Sequence, residues 1–202
     1  MRKLLRRVLV CAVAAGIVWL WMLARDRKTL NEELIRFHVV ANSDSEEDQS
    51  VKLRLRDAVM ENLGREMAGI ADVAGAEAYL RENLSRIESF VNETLRSMGV
   101  DMTAGVSLCR EAFDKRVYDT FTLPAGVYKA LRITIGEGEG KNWWCVVFPE
   151  FCLGAVGSFE SRAVGAGFSE GLTDTLARPE DCSIRFFFLE KLGQLENRFF
   201  PG

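Results

Sequence analysis

Apolar and polar residues alternate over residues 34–41, with Ile35, Phe37, Val39 and Ala41 on one face and Arg36, His38 and Val40 on the other. A period of two predicts a strand. The polar run Asn42, Ser43, Asp44, Ser45 ends it, and Ser45 with Asp48 has the spacing of a helix-opening capping box, as do Asp44 and Glu47. The period then becomes 3.6. Val51, Leu55, Ala58, Val59, Leu63 and Met67 predict one amphipathic helix; Leu80, Leu84, Ile87, Val91, Leu95 and Met98 predict a second, stopped at Gly99. Alternation returns over 100–108, weakly over 117–123, strongly over 127–135 and again over 142–148. The order β-α-α-β-β-β-β predicts an α+β fold: a mixed, mostly antiparallel sheet covered by two amphipathic helices. Residues 154–182, rich in glycine, read as a linker, and 183–202 as a returning strand at 184–189 followed by a short helix.

Ahead of this pattern, Arg2, Lys3, Arg6 and Arg7 precede an uncharged run over 8–24, closed by Arg25, Asp26, Arg27 and Lys28. As a helix, 17 residues span roughly 26 Å, close to a bilayer's apolar thickness of about 30 Å. Of Met22, Leu23 and Ala24 only the last is small, as a signal-peptidase site requires. Cys11 follows Val10 with too little apolar chain before it for a lipoprotein signal. An uncleaved signal anchor over 1–28 fits best, with the domain beginning at 29. The excess of basic residues before the run places the amino terminus in the cytoplasm and the domain outside. The domain is then membrane-anchored, or released if the segment is cut.

Charge narrows the partners. Residues 1–28 hold seven of the 26 basic residues and one of the 29 acidic ones, which leaves the remainder a net charge of −9. Such a surface disfavours nucleic acid and peripheral docking on anionic lipid. His38 is the single histidine, too few for a zinc site, so no metal and no cofactor is expected. It reads as a hydrogen-bonded structural residue or as a contact on a binding surface. Cys145 with His38 and Asn142 supplies the residue types of a thiol hydrolase. Cys145 and Cys152 enclose six residues including Pro149, and in an oxidising compartment a disulfide between them is expected; buried free thiols are the alternative. Trp143 and Trp144 are adjacent, so on a strand they point to opposite faces. Either one fills the core while the other stands on the surface as an interface anchor, or both are covered.

Three stretches together resemble the stage II sporulation protein R family: LIRFHVVANSDS (34–45) with Asp48 and Gln49, LPAGVYKALRI (123–133), and GEG (136–138) through NWWCVVFP (142–149) to Cys152. The likeness covers about residues 30–153, and the segment from Arg185 and Phe186 onward looks like the family's close. Glu150 stands where the family has a second proline, and the 154–181 stretch does not align. The resemblance implies a signalling protein of endospore-forming bacteria, made in the forespore and exported to the intermembrane space. There it triggers a membrane-embedded aspartic protease, which processes the mother cell's pro-sigma factor. It implies no catalytic residues. A binding surface of His38, Asn42, Ser43, Asp44, Asn142, Trp143 and Trp144 on a monomeric domain follows as the expectation. The alternative is an exported thiol hydrolase acting on cell-wall peptide through Cys145 and His38.

Overall fold

The computed structural model describes residues 1–149 and 158–200. Helix α1 (Arg2–Glu32) leads into strand β1 (Ile35–Val40), then helices α2 (Glu46–Glu66), α3 (Val73–Glu82) and α4 (Leu84–Ser97). Strands β2 (Ala104–Phe113), β3 (Arg116–Val117), β4 (Thr122–Leu123), β5 (Gly126–Ile135) and β6 (Asn142–Phe148) follow, and helices α5 (Phe159–Gly165), α6 (Glu170–Ala177) and α7 (Ser183–Phe199) end the chain. The four-stranded sheet has the order β2-β5-β1-β6. β1 runs parallel to β5 and antiparallel to β6, and β2 is antiparallel to β5. The expected α+β architecture with a mixed sheet is present, and α1 is long and apolar enough to cross a membrane.

The first face follows the expected periodicity. Phe37, Val39, Leu131, Ile133 and Cys145 meet Val51, Leu55 and Leu63 of α2, Leu80 of α3 and Ile87, Val91 and Leu95 of α4. Each such side chain, fully buried, contributes roughly 1.5–3 kcal/mol of transfer free energy. The expected second helix is divided at Asn83, between α3 and α4.

The second face corrects three expectations. Every residue of β1 is buried, Arg36 and His38 included, because a second helical layer covers them. Leu23 and Leu30 of α1, Phe159 and Ala163 of α5, Leu172 and Leu176 of α6 and Leu189 of α7 pack there against Phe113, Tyr128, Ala130 and Val146. The expected linker over 154–182 therefore includes two core-forming helices, each opened by a serine whose side chain accepts an amide hydrogen bond. The expected strand at 184–189 is helical: Arg185, Leu189, Gly193 and Glu196 recur at helical spacing on the face turned to the domain. Gly193 is required there, since a Cβ would collide with the Ala125 carbonyl. The boundary expected at residue 28 falls within α1. α1 runs unbroken to Glu32, with Asp26 and Arg27 both 5 % exposed. Arg27 Nη2 pairs with Glu196 Oε2 at 2.8 Å, and Arg185 Nη2 with Asp26 Oδ2 at 2.6 Å.

Candidate partner-binding surface

Where β1 ends, its exit loop and the β5–β6 hairpin lock together. Ser45 caps α2, its Oγ accepting from the Asp48 amide at 3.1 Å. The Asp48 carboxylate does not complete a capping box; it accepts from Asn42 Nδ2 at 2.9 Å and Ser43 Oγ at 2.5 Å. These bonds, that from Ser43 foremost, hold its pKa below the ordinary carboxylate value. Asn42 Oδ1 in turn accepts from the Glu137 amide at 3.1 Å, and Asp44 Oδ1 from the Lys141 amide at 2.7 Å. The Glu139 amide donates to the Asn42 carbonyl and the Gly140 amide to the Ala41 carbonyl. A side chain at Gly140 would collide with the Ser43 carbonyl, so the glycine-alternating hairpin serves close backbone approach.

Lys52 of α2 is buried beneath this corner. Its Nζ donates to Gln49 Oε1 at 2.6 Å and the Lys141 carbonyl at 2.8 Å, and burial holds its pKa below the usual lysine value. Asn42, Ser43 and Asp44 thus meet the hairpin as expected, but most of their hydrogen-bonding capacity is spent on shaping it. Exposed around them stand Asp44, Glu46, Glu47, Glu137, Glu139, Lys141 and Asn142. The corner is hydrogen-bonded throughout and mostly acidic.

The two tryptophans occupy opposite faces, and neither is a freely exposed anchor. Trp143 is half-buried, edge-on to Phe37 with the Arg56 guanidinium 4.7 Å over its ring. Trp144 is half-buried on the other face, stacked on His38 at 4.8 Å with Arg116 over its ring. His38, 2 % exposed, offers no contact surface, in contrast to the expectation that grouped it with the loop. Its Nε2 lies 2.9 Å from Glu111 Oε2, out of line for a straight hydrogen bond. Glu111 also accepts from Cys109 Sγ at 3.0 Å and Arg132 Nη1 at 3.4 Å. Burial acts to raise the Glu111 pKa, but His38, Cys109 and Arg132 outweigh it and hold the carboxyl at about 2. Burial, with Glu111 beside it, pushes the Cys109 thiol up to about 11, so it is a poor nucleophile. No sequence signal linked Glu111 to His38: 73 residues apart, they meet only through strand pairing.

A model of the family described as stage II sporulation protein R matches residues 31–157. The chain belongs to that family. Stage II sporulation protein R of Bacillus subtilis (strain 168) is 36% identical over 122 residues, 60% of this chain and 54% of that protein. The chain thus spans about half the length of the curated relative it matches. No solved structure matches. Membership in the stage II sporulation protein R family gives the chain a role in sporulation. The matched region takes in the whole sheet and the locked corner, whereas nearly all of α1 and all of α5–α7 lie outside it.

Within this stage II sporulation protein R domain the thiol-hydrolase arrangement does not assemble. Residues directly opposed on paired strands share a face. His38 opposes Trp144, and Cys145 opposes Phe37, so the imidazole and the sulfur lie on opposite sides of the sheet. Cys145 is fully buried. Cys152 lies outside the described residues, so its pairing with Cys145 stays a proposal.

Proposed function

We propose that the protein is an exported intercompartmental signal of endospore formation. It activates a membrane-embedded aspartic protease by binding it, and that protease then processes the mother cell's pro-sigma factor. Family membership supports the sporulation role, and the apolar α1 supports a membrane anchor or export signal. The observation that carries the binding mechanism is the locked corner. The loop over 42–45 and the hairpin over 136–141 are cross-braced by backbone and side-chain hydrogen bonds into one preorganised, mostly acidic surface. Preorganisation cuts the entropy lost on docking, and a surface rich in carboxylates selects a basic partner face. Co-expression of the full chain, the protease and the pro-sigma factor tests this. The double charge reversal Glu47→Lys with Glu139→Lys should reduce cleavage at least tenfold while the chain keeps its thermal unfolding midpoint. Undiminished cleavage by that variant removes the corner from the mechanism.

A further inference from the structure

Strand β2 ends the four-stranded sheet on one side, so its outer edge has no strand partner. Its ten residues pair with β5 in one unbroken antiparallel register. Helix α4 covers the beginning of that edge. Asn92 Oδ1 accepts from the Ala104 amide and Asn92 Nδ2 donates to the Ala104 carbonyl, both at 2.9 Å, and Glu88 Oε2 accepts from the Val106 amide at 3.0 Å. Backbone groups of a strand turn alternately to its two sides, so the amides and carbonyls of Leu108, Arg110 and Ala112 point outward in the same way. Among the described residues nothing bonds to them. The covering resumes at Phe113, whose carbonyl accepts from Asn197 Nδ2 at 2.8 Å.

Between these two closed ends lies an open stretch of edge. A row of outward amides and carbonyls at strand spacing is matched by an extended backbone. Beside it is a recess of about 420 Å³, bordered by Glu88, Ser107, Cys109, Glu111 and Arg132, with room for a side chain of an added strand. A second copy of this chain does not fit the edge. A two-fold axis at Arg110 or at Glu111 sets like charges opposite each other. An axis at Leu108 or Cys109 pairs Val106, whose amide Glu88 already holds, with Arg110 or Ala112. Arg110 defines the charge that does fit. It is exposed, and its neighbour across the ladder is Lys129, itself paired with Glu77 at 2.6 Å. No carboxylate among the described residues pairs with Arg110, so an acidic side chain opposite it on an added strand is favoured.

We propose that an extended segment of the protease adds to β2 as a fifth strand over 106–112, with an acidic residue opposite Arg110. Backbone hydrogen bonds supply the affinity, and the Arg110 charge and the recess select the segment. The inference rests on the reading of this chain as the activator of that protease.

Arg110→Pro removes one outward amide and breaks no bond to β5, since proline is tolerated on an edge strand where its nitrogen faces solvent. Arg110→Ala keeps the amide and removes only the charge. In co-expression of the full chain with the protease and the pro-sigma factor, Arg110→Pro should lower cleavage at least tenfold and Arg110→Ala no more than about fivefold. Equal cleavage by the two variants overturns the strand addition and, with the unaltered chain still active, leaves the activator reading standing. No cleavage with the unaltered chain overturns that reading and the inference with it. Hydrogen exchange on the unaltered full chain, purified with and without the protease, does not depend on how the proline variant folds. The Leu108, Arg110 and Ala112 amides should exchange at least tenfold more slowly with the protease bound. Unchanged rates overturn the inference, and so does slowing that appears without the protease and is lost on dilution, the mark of a second copy.

Discussion

Between pH 4.5 and 2 the carboxyl of Glu111 stays ionised in the folded chain, while in the unfolded chain it takes up its proton over the same range. A carboxyl depressed by folding contributes stability that is fully present above its unfolded pKa and is lost as pH falls through the folded value. A drop from 4.5 to about 2 corresponds to roughly 3 kcal/mol at most. Glu111→Gln should therefore cost up to about 3 kcal/mol at pH 7 and little near pH 2; urea unfolding of the detergent-solubilised chain at both pH values checks this. The tryptophans are a second test at this scale. A single exposed anchor predicts one Trp→Ala variant that stays fully stable. With each indole wedged under an arginine against its own side of the sheet, Trp143→Ala and Trp144→Ala should both destabilise, each by at least about 1 kcal/mol and less than the roughly 3–5 kcal/mol of a fully buried Trp. Thermal unfolding of the pair decides between the two pictures.

At the scale of elements, β1, α2, β5 and β6 are legible in the sequence because one periodic apolar face each meets the core. The Asn42–Asp44 turn and the hairpin are legible as loops, and their mutual locking is not, since it is made largely by backbone groups. α7 is illegible for a different reason: the residues it turns to the domain include arginine, glycine and glutamate, so no apolar stripe marks the buried side. Its consecutive phenylalanines instead suggest a strand. The continuation of α1 is hidden likewise, because the residues that dock it, Asp26 and Arg27, are charged and pair with partners about 160 residues away. A chain beginning at residue 29 loses both buried pairs and Leu23. Removing one member of a buried pair costs about 3–5 kcal/mol, so that chain should unfold at markedly lower urea than one beginning at Trp19. Equal midpoints would show that the α1 contacts contribute nothing to the fold.

For the whole molecule, the proposed reading gives the acidic corner at the carboxyl end of β1 a protein neighbour and α1 a membrane. A domain tethered at the bilayer by α1 would present the corner in a restricted orientation to a partner in or near a membrane. The central claim is that this protein activates by binding and performs no chemistry itself. The most direct measurement is cleavage of the pro-sigma factor by the membrane-embedded aspartic protease, co-expressed with and without the full chain. Cleavage is expected only when the chain is present, and it should persist in a Cys109→Ser variant, whose thiol has no part in it. Cleavage at the same rate without the chain, or release of a product by the chain in the absence of the protease, would contradict the account.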